Sequence, residues 1–206
     1  MALTLDDSAP EWVGPVLRQT PWVVVRRGYL QDGSIPVGVR GMTRTQRFAF
    51  LLAITEIAEQ VSPEELTDFR SVLKPMRRDA VPALAALARI APLLERRRYR
   101  WGPGGSVAFE LATGTCITTA SSDLDVILRQ ADRLEPHEAD ALRAALVEAA
   151  APARIDVLLE TPHGGVSLAD LAARPMHVLV RTPHGARLVV DPWKADTSSA
   201  PIKAVP

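Results

Sequence analysis

The chain has 206 residues with one cysteine, three lysines, no net charge, and no apolar run near the ~20 residues that cross a bilayer. A single thiol, Cys116, excludes an intramolecular disulfide and fits a reducing cytoplasm. Nothing beside it in the sequence marks it as a reactive thiol. The 24 basic and 24 acidic residues cancel, which argues against non-specific nucleic-acid binding, since that mode needs a basic excess to displace counterions. Residues 1–10 carry acids and no basic segment leading into an apolar core, so no secretory signal is expected there. No G-x-x-x-x-G-K-[ST] loop is present, nor a G-x-G-x-x-G after a strand. Gly104-Gly105-Ser106-Val107-Ala108 lacks the second glycine of a serine-hydrolase elbow. His137, His163, His177 and His184 have no metal-ligand spacing. What remains is an ordinary soluble, cytoplasmic globular composition, 47% hydrophobic and 23% charged, with no membrane or nucleic-acid partner expected.

The pattern along the chain predicts a mixed α+β fold. Trp22–Arg26 and Ile35–Val39 read as short strands, with Gln31-Asp32-Gly33 as the turn between them. Thr43 and Gln46 have capping-box spacing and predict a helix carrying Phe48, Leu51, Leu52 and Ile54. Ser62-Pro63-Glu64-Glu65 is a stronger helix start, and a third helix is expected over about Asp79–Glu95, kinked or shortened by Pro92. The composition changes at Arg96-Arg97-Arg98-Tyr99-Arg100, which places a boundary between an N-terminal mixed, helical domain (1–95) and a C-terminal domain (96–206). Past a Gly-rich turn at 101–106, Leu124–Leu128 and Arg154–Glu160 read as strands and Pro136–Ala150 as a helix. A short helix is expected at Leu168–Ala173, then a hairpin of Val178–Arg181 and Arg187–Val190. Thr161-Pro162-His163-Gly164 recurs at Thr182-Pro183-His184-Gly185, which we read as two similar strand-ending turns. The tail beyond Trp193 is short of apolar residues and is expected to be loose.

Three features carry chemistry. Asp123 and Asp125 stand two apart in an apolar strand, so both carboxylates point to one face while Leu124 and Val126 point to the core. Adjacent carboxylates repel, and a cation between them removes the cost; oxygen-only ligands select a hard ion such as Mg²⁺. Asp156 is a lone acid inside Arg154–Glu160, able to join the cluster and accept a proton if its strand lies beside the first. Gly104-Gly105-Ser106 precedes a short predicted helix, Val107–Leu111, and glycines there let backbone amides approach a phosphate.

Gly-Ser, then Asp-x-Asp on a strand, then a later strand Asp resembles the polymerase-β-type nucleotidyltransferase superfamily. The longer string from Trp101 to Gly114, with Ser122–Val126, Glu160-Thr-Pro-x-Gly-Gly165 and Asp191-Pro-Trp193, resembles one branch of it. That branch is the malonate decarboxylase holo-acyl-carrier-protein synthase, or phosphoribosyl-dephospho-CoA transferase, family. Ile35–Gly41 and Arg44-x-Gln-Arg47 extend the resemblance over most of the chain. One departure is the sixteen residues between Ser106 and Asp123, longer than the superfamily's usual interval.

The resemblance implies a nucleotidyltransferase-like C-terminal domain, a mixed sheet flanked by helices. It implies transfer of phosphoribosyl-dephospho-CoA from triphosphoribosyl-dephospho-CoA to a serine of the acyl-carrier subunit of malonate decarboxylase, with release of pyrophosphate. Asp123 and Asp125 would bind Mg²⁺, Asp156 would ligate a second ion and help deprotonate the serine, and Gly105 and Ser106, with Gly104, would hold the triphosphate. Arg98, Arg100 and Arg154 are candidates for phosphate or carrier contact, although the 96–100 run also reads as a solvated helix end. Trp193 could stack on adenine or close the core. Transfer to another acceptor, or a carrier-binding module without chemistry, stays open from the residues alone.

Overall fold

The computed structural model describes residues 9–194 except 42, 44 and 72. Arg44 of the Arg44-x-Gln-Arg47 string, the first eight residues and the tail from 195 onward lie outside the described residues. The chain divides into two units, Met1–Gln60 and Val61–Pro206.

In the first unit, helix α1 (Val13–Gln19) precedes strands β1 (Val24–Val25), β2 (Ser34–Arg40) and β3 (Arg47–Ala53), which form an antiparallel sheet in that order. Asp32 and Gly33 both have positive φ (47° and 74°) and make the two-residue turn that an Asp-Gly pair favours. The helix expected over 48–54 is a strand. The Thr43 amide does donate to Gln46 Oε1 at 3.1 Å, but the pair closes the turn between β2 and β3 instead of opening a helix. Period-two alternation decides the matter: Phe48, Phe50 and Leu52 lie opposite Val39, Val37 and Ile35. Val13, Val37, Val39 and Leu52 are buried.

The second unit starts with a 3-10 segment, Pro63–Ser71, where Ser62 N–H and O–H both donate to Glu65 Oε2 (2.7 and 2.6 Å), as the sequence signal predicts. Helices α2 (Pro75–Ala80) and α3 (Pro82–Arg96) divide at Val81, which Pro82 holds in an extended conformation. α3 runs through Pro92 to Arg96, so that proline does not shorten it. The 95/96 change in composition therefore falls inside the second unit, at the end of a helix whose Leu84, Leu87, Ile90, Ala91 and Leu94 belong to the main core.

Strand β4 (Arg100–Pro103), helix α4 (Gly105–Thr113), β5 (Leu124–Arg129), α5 (Pro136–Ala150), β6 (Ile155–Thr161), β7 (Gly164–Ser167), α6 (Leu168–Ala172), β8 (Val178–Thr182) and β9 (Gly185–Val189) follow. The strands form one mixed sheet in the order β4-β5-β6-β7-β8-β9. β5 and β6 are parallel and joined through α5; the other neighbouring pairs are antiparallel. One face is the core: Leu124, Val126, Leu128, Leu159, Val166 and Val180 are buried in one cluster with Leu87 and Ile90 of α3 and Leu142 and Leu146 of α5. β4 is a strand where the sequence suggested a turn, because its glycine and proline obscure the alternation. No helix among the described residues is long and apolar enough to cross a membrane.

Candidate active site

Alternation along β5 buries Leu124, Val126 and Leu128 and sets Asp125 on the opposite face. The parallel register pairs Asp125 with Asp156 of β6, so the two residues stand side by side on strands spaced about 4.8 Å apart. The Leu124 amide donates to the Arg154 carbonyl at 2.8 Å, which carries the pairing back towards Asp123 and Arg154. There Arg154 Nε lies 3.8 Å from Asp123 Oδ1, with the arginine largely exposed. The structure thus brings Asp123, Asp125, Asp156 and Arg154 to one end of two parallel strands.

The glycine turn reaches the same place. The Gly104 amide donates to the Asp125 carbonyl at 2.8 Å, and Gly105 has φ +55°. A Cβ on Gly105 would fall 1.8 Å from Asp125 Oδ2, so no side chain fits between the turn and that carboxylate. α4 starts at Gly105 after a glycine N-cap that has no side chain to cap it, and Ser106 is buried in the first turn. The glycine turn at the start of α4 and the Asp125 carboxylate are therefore in direct contact.

Arg98 and Arg100 go elsewhere. β4 is antiparallel to β5, and Arg100 pairs with Arg129, four residues along β5 from Asp125 and so about 13 Å away. Arg98, with φ 55°, lies in the turn that ends α3, its amide on the Glu95 carbonyl. Arg129 and Arg100 face Glu64 instead, at 2.8 and 3.9 Å. Burial raises the Glu64 carboxyl, but the Arg129 hydrogen bond and charge hold it below the ordinary value.

Sequence reasoning missed a second charged cluster. Glu110 of α4 is 6% exposed and receives Arg77 Nε on Oε1 (2.8 Å) and Arg77 Nη2 on Oε2 (2.9 Å). Its Oε2 also accepts the amides of Ile117 (3.0 Å) and Thr118 (2.8 Å) and the Thr118 hydroxyl. Arg77 Nη2 further donates to the Thr118 carbonyl (2.5 Å) and hydroxyl (2.9 Å). Burial alone would raise the Glu110 carboxyl, but the bonds from Arg77 and Thr118 hold it below the ordinary value. The available signal was an acid inside the apolar run Val107–Leu111.

The C-terminal strings are structural. Thr161 Oγ1 lies 2.9 Å from the Gly164 carbonyl and 3.0 Å from that of Pro192, and the Trp193 indole donates to the Gln130 carbonyl at 3.0 Å while packing on the core. Trp193 closes the core, the second of its two readings. The repeated Thr-Pro-His-Gly segments are matching turns, each with its threonine hydroxyl on the glycine carbonyl.

Oxygen-only donors on one strand face suit Mg²⁺, which takes one or two carboxylates and completes its sphere with water and substrate phosphate. Among the described residues no three His, Cys, Asp or Glu side chains form a group that could hold a metal ion by themselves. Asp125 and Asp156, paired in register, are the two carboxylates of the expected set that would hold such an ion.

Two family profiles match the chain: the phosphoribosyl-dephospho-CoA transferase MdcG C-terminal domain over residues 70–192, and the N-terminal domain of the same protein over 2–63. A phosphoribosyl-dephospho-CoA transferase of Pseudomonas putida is 42% identical over 189 residues, covering 92% of this chain and 88% of the relative. Proteins of the same name from Azotobacter vinelandii and Pseudomonas aeruginosa are 42% identical over 195 residues and 36% over 190, each covering 92% of this chain and 88% of the relative. No solved structure matches.

Proposed function

The chain belongs to the phosphoribosyl-dephospho-CoA transferase family, and on that premise we propose that it moves the phosphoribosyl-dephospho-CoA group of triphosphoribosyl-dephospho-CoA onto a serine of an apo acyl-carrier subunit, that of malonate decarboxylase. The observation that carries this reading is the contact between Gly105 and the Asp125 carboxylate, with Asp156 in register beside it.

In this reading the amides of Gly105 and Ser106, after Gly104, hold the triphosphate at the start of α4. Asp123 and Asp125, with Asp156 alongside, would hold Mg²⁺, and Mg²⁺ supplies charge neutralisation at the phosphates and lowers the pKa of the attacking hydroxyl. Arg154, exposed beside Asp123, neutralises phosphate charge at the rim. The carrier serine oxygen bonds to the α-phosphorus, the bond from that phosphorus to the β-phosphate oxygen breaks, and pyrophosphate leaves with the electron pair. Asp156 accepts the serine proton. Carboxylates of like charge on neighbouring strands repel one another, and this chemistry supplies a reason for placing them there. The reaction belongs in the cytoplasm, where apo-carrier and donor would meet.

Intact-mass spectrometry of an apo-carrier incubated with the protein, donor and Mg²⁺ tests this directly. The expected result is a mass gain equal to phosphoribosyl-dephospho-CoA, lost with chelator. A folded carrier and intact donor giving no gain would overturn the acceptor assignment.

A further inference from the structure

We propose that the Arg77–Glu110–Thr118 cluster is a positioning device for the candidate active site, anchoring the long loop so that Asp123 and Asp125 enter the sheet in register against Gly105. The inference rests on reading residues 105–106 and 123, 125 and 156 as the donor site.

Of the sixteen residues between Ser106 and Asp123, seven belong to α4 and nine, 114–122, form the loop into β5; left unanchored, that loop would let the two halves of the site drift apart. The cluster divides that interval. Glu110 sits on α4, the helix whose first residue lies against Asp125. Its carboxylate binds the amides of Ile117 and Thr118, in the middle of the loop 114–122. Thr118 is the one buried residue among 114–122. Beyond it a turn closes at once: the Thr119 amide donates to Ser122 Oγ (3.0 Å) and the Ser122 amide to the Thr119 carbonyl (3.1 Å). Asp123 follows immediately. A short, hydrogen-bonded link therefore runs from α4, through Glu110 and Thr118, to the first acid of the site.

Arg77 completes the cluster from α2 by saturating Glu110 and the Thr118 carbonyl together. A buried ion pair is weak support for stability, since apolar groups of the same volume often serve as well. It does fix geometry, because each partner has a single satisfied arrangement. Glu110 touches neither donor nor acceptor in this reading; it acts through Asp123 and through the cradle helix.

Mn²⁺ titration followed by electron paramagnetic resonance tests the inference on full-length wild type, Glu110→Gln and Thr118→Val, without donor, with amide hydrogen exchange measured on the same samples. Removing a supporting partner of a metal site costs about 10–100-fold in affinity, and Glu110→Gln is expected to weaken Mn²⁺ binding by that factor, with Thr118→Val near the lower end. Exchange should quicken at least ~10-fold across 114–123 while α5 stays unchanged, by the logic of local opening. Faster loop exchange with unchanged Mn²⁺ affinity makes the cluster merely structural and overturns the inference. Wild type that binds no Mn²⁺ overturns the metal reading first and this inference with it. If Glu110→Gln does not fold, Thr118→Val decides alone, since valine keeps the shape of threonine and both backbone amides.

Discussion

The two ends of strands β5 and β6 both carry strings of the family resemblance and are built differently. At the C-terminal ends, polar groups are paired off: Thr161 with two carbonyls, the Trp193 indole with Gln130, and the Asp191 carboxylate with the Trp193 amide and Arg133 at 3.0 and 2.6 Å. At the N-terminal ends, Asp125 and Asp156 are set side by side and a glycine is pressed against one of them. The first arrangement is what a fold needs in order to bury polar groups. The second sets like charges on neighbouring strands, and the proposed cationic or phosphorylated ligand would give that arrangement a purpose. Resemblance of a motif therefore does not by itself separate structural from functional residues; the charge that each end gathers differs.

Asp125→Asn should break the contrast most sharply. Losing several kcal/mol of transition-state charge stabilisation lowers transfer about 10²–10³-fold at tenfold per 1.36 kcal/mol, with melting temperature held or raised. A fall in melting temperature that accounts for the lost activity would move Asp125 to the structural side. Gly105→Ala comes next: a left-handed residue costs about 1–2 kcal/mol, and its Cβ must displace the Asp125 carboxylate. Transfer should drop well beyond the lost stability, as kinetics and thermal melts on one preparation will show. At the other end, Thr161→Val should lose about 1–3 kcal/mol in urea titration by leaving buried carbonyls unpaired, while turnover per folded molecule stays the same.

Glu110 sets an acid dependence. Its carboxyl is held below its ordinary 4.5 in the fold, so its contribution is complete above that value and is lost as pH falls through the lower folded value. Glu110→Gln should flatten that part of a stability–pH curve below about pH 4.5, and an unchanged slope would assign the acid sensitivity elsewhere. The smallest effect is expected of Asp156→Asn in metal-free protein, a gain of about 0.2–1 kcal/mol from removing a like-charge cross-strand neighbour, measured by chemical denaturation.

Much of this was legible beforehand, and the failures have specific causes. Pro136–Ala150 is a helix as expected, because a proline at its start and helical periodicity agree. Ser62–Glu65 starts its helix for the same kind of reason. Thr43–Gln46 made its expected bond but in a hairpin, since a short-range bond does not say which element it terminates. Arg98 and Arg100 read as a basic rim for phosphate or an acidic carrier; the antiparallel run of β4 takes Arg100 to the end of β5 away from Asp125. Glu110 and Arg77 escaped notice because 33 residues separate them.

By itself the sequence determined the residue types that carry the chemistry, the faces they occupy along each strand, and the family to which they belong. Those follow from period-two alternation and from glycine at a left-handed position, properties local to a few residues. Tertiary structure alone decided that Asp156 lies opposite Asp125, that Gly105 meets the Asp125 carboxylate, and that Glu110 anchors the chain five residues before Asp123. Register and long-range pairing depend on how the whole sheet packs against α3 and α5, and no local pattern encodes that packing.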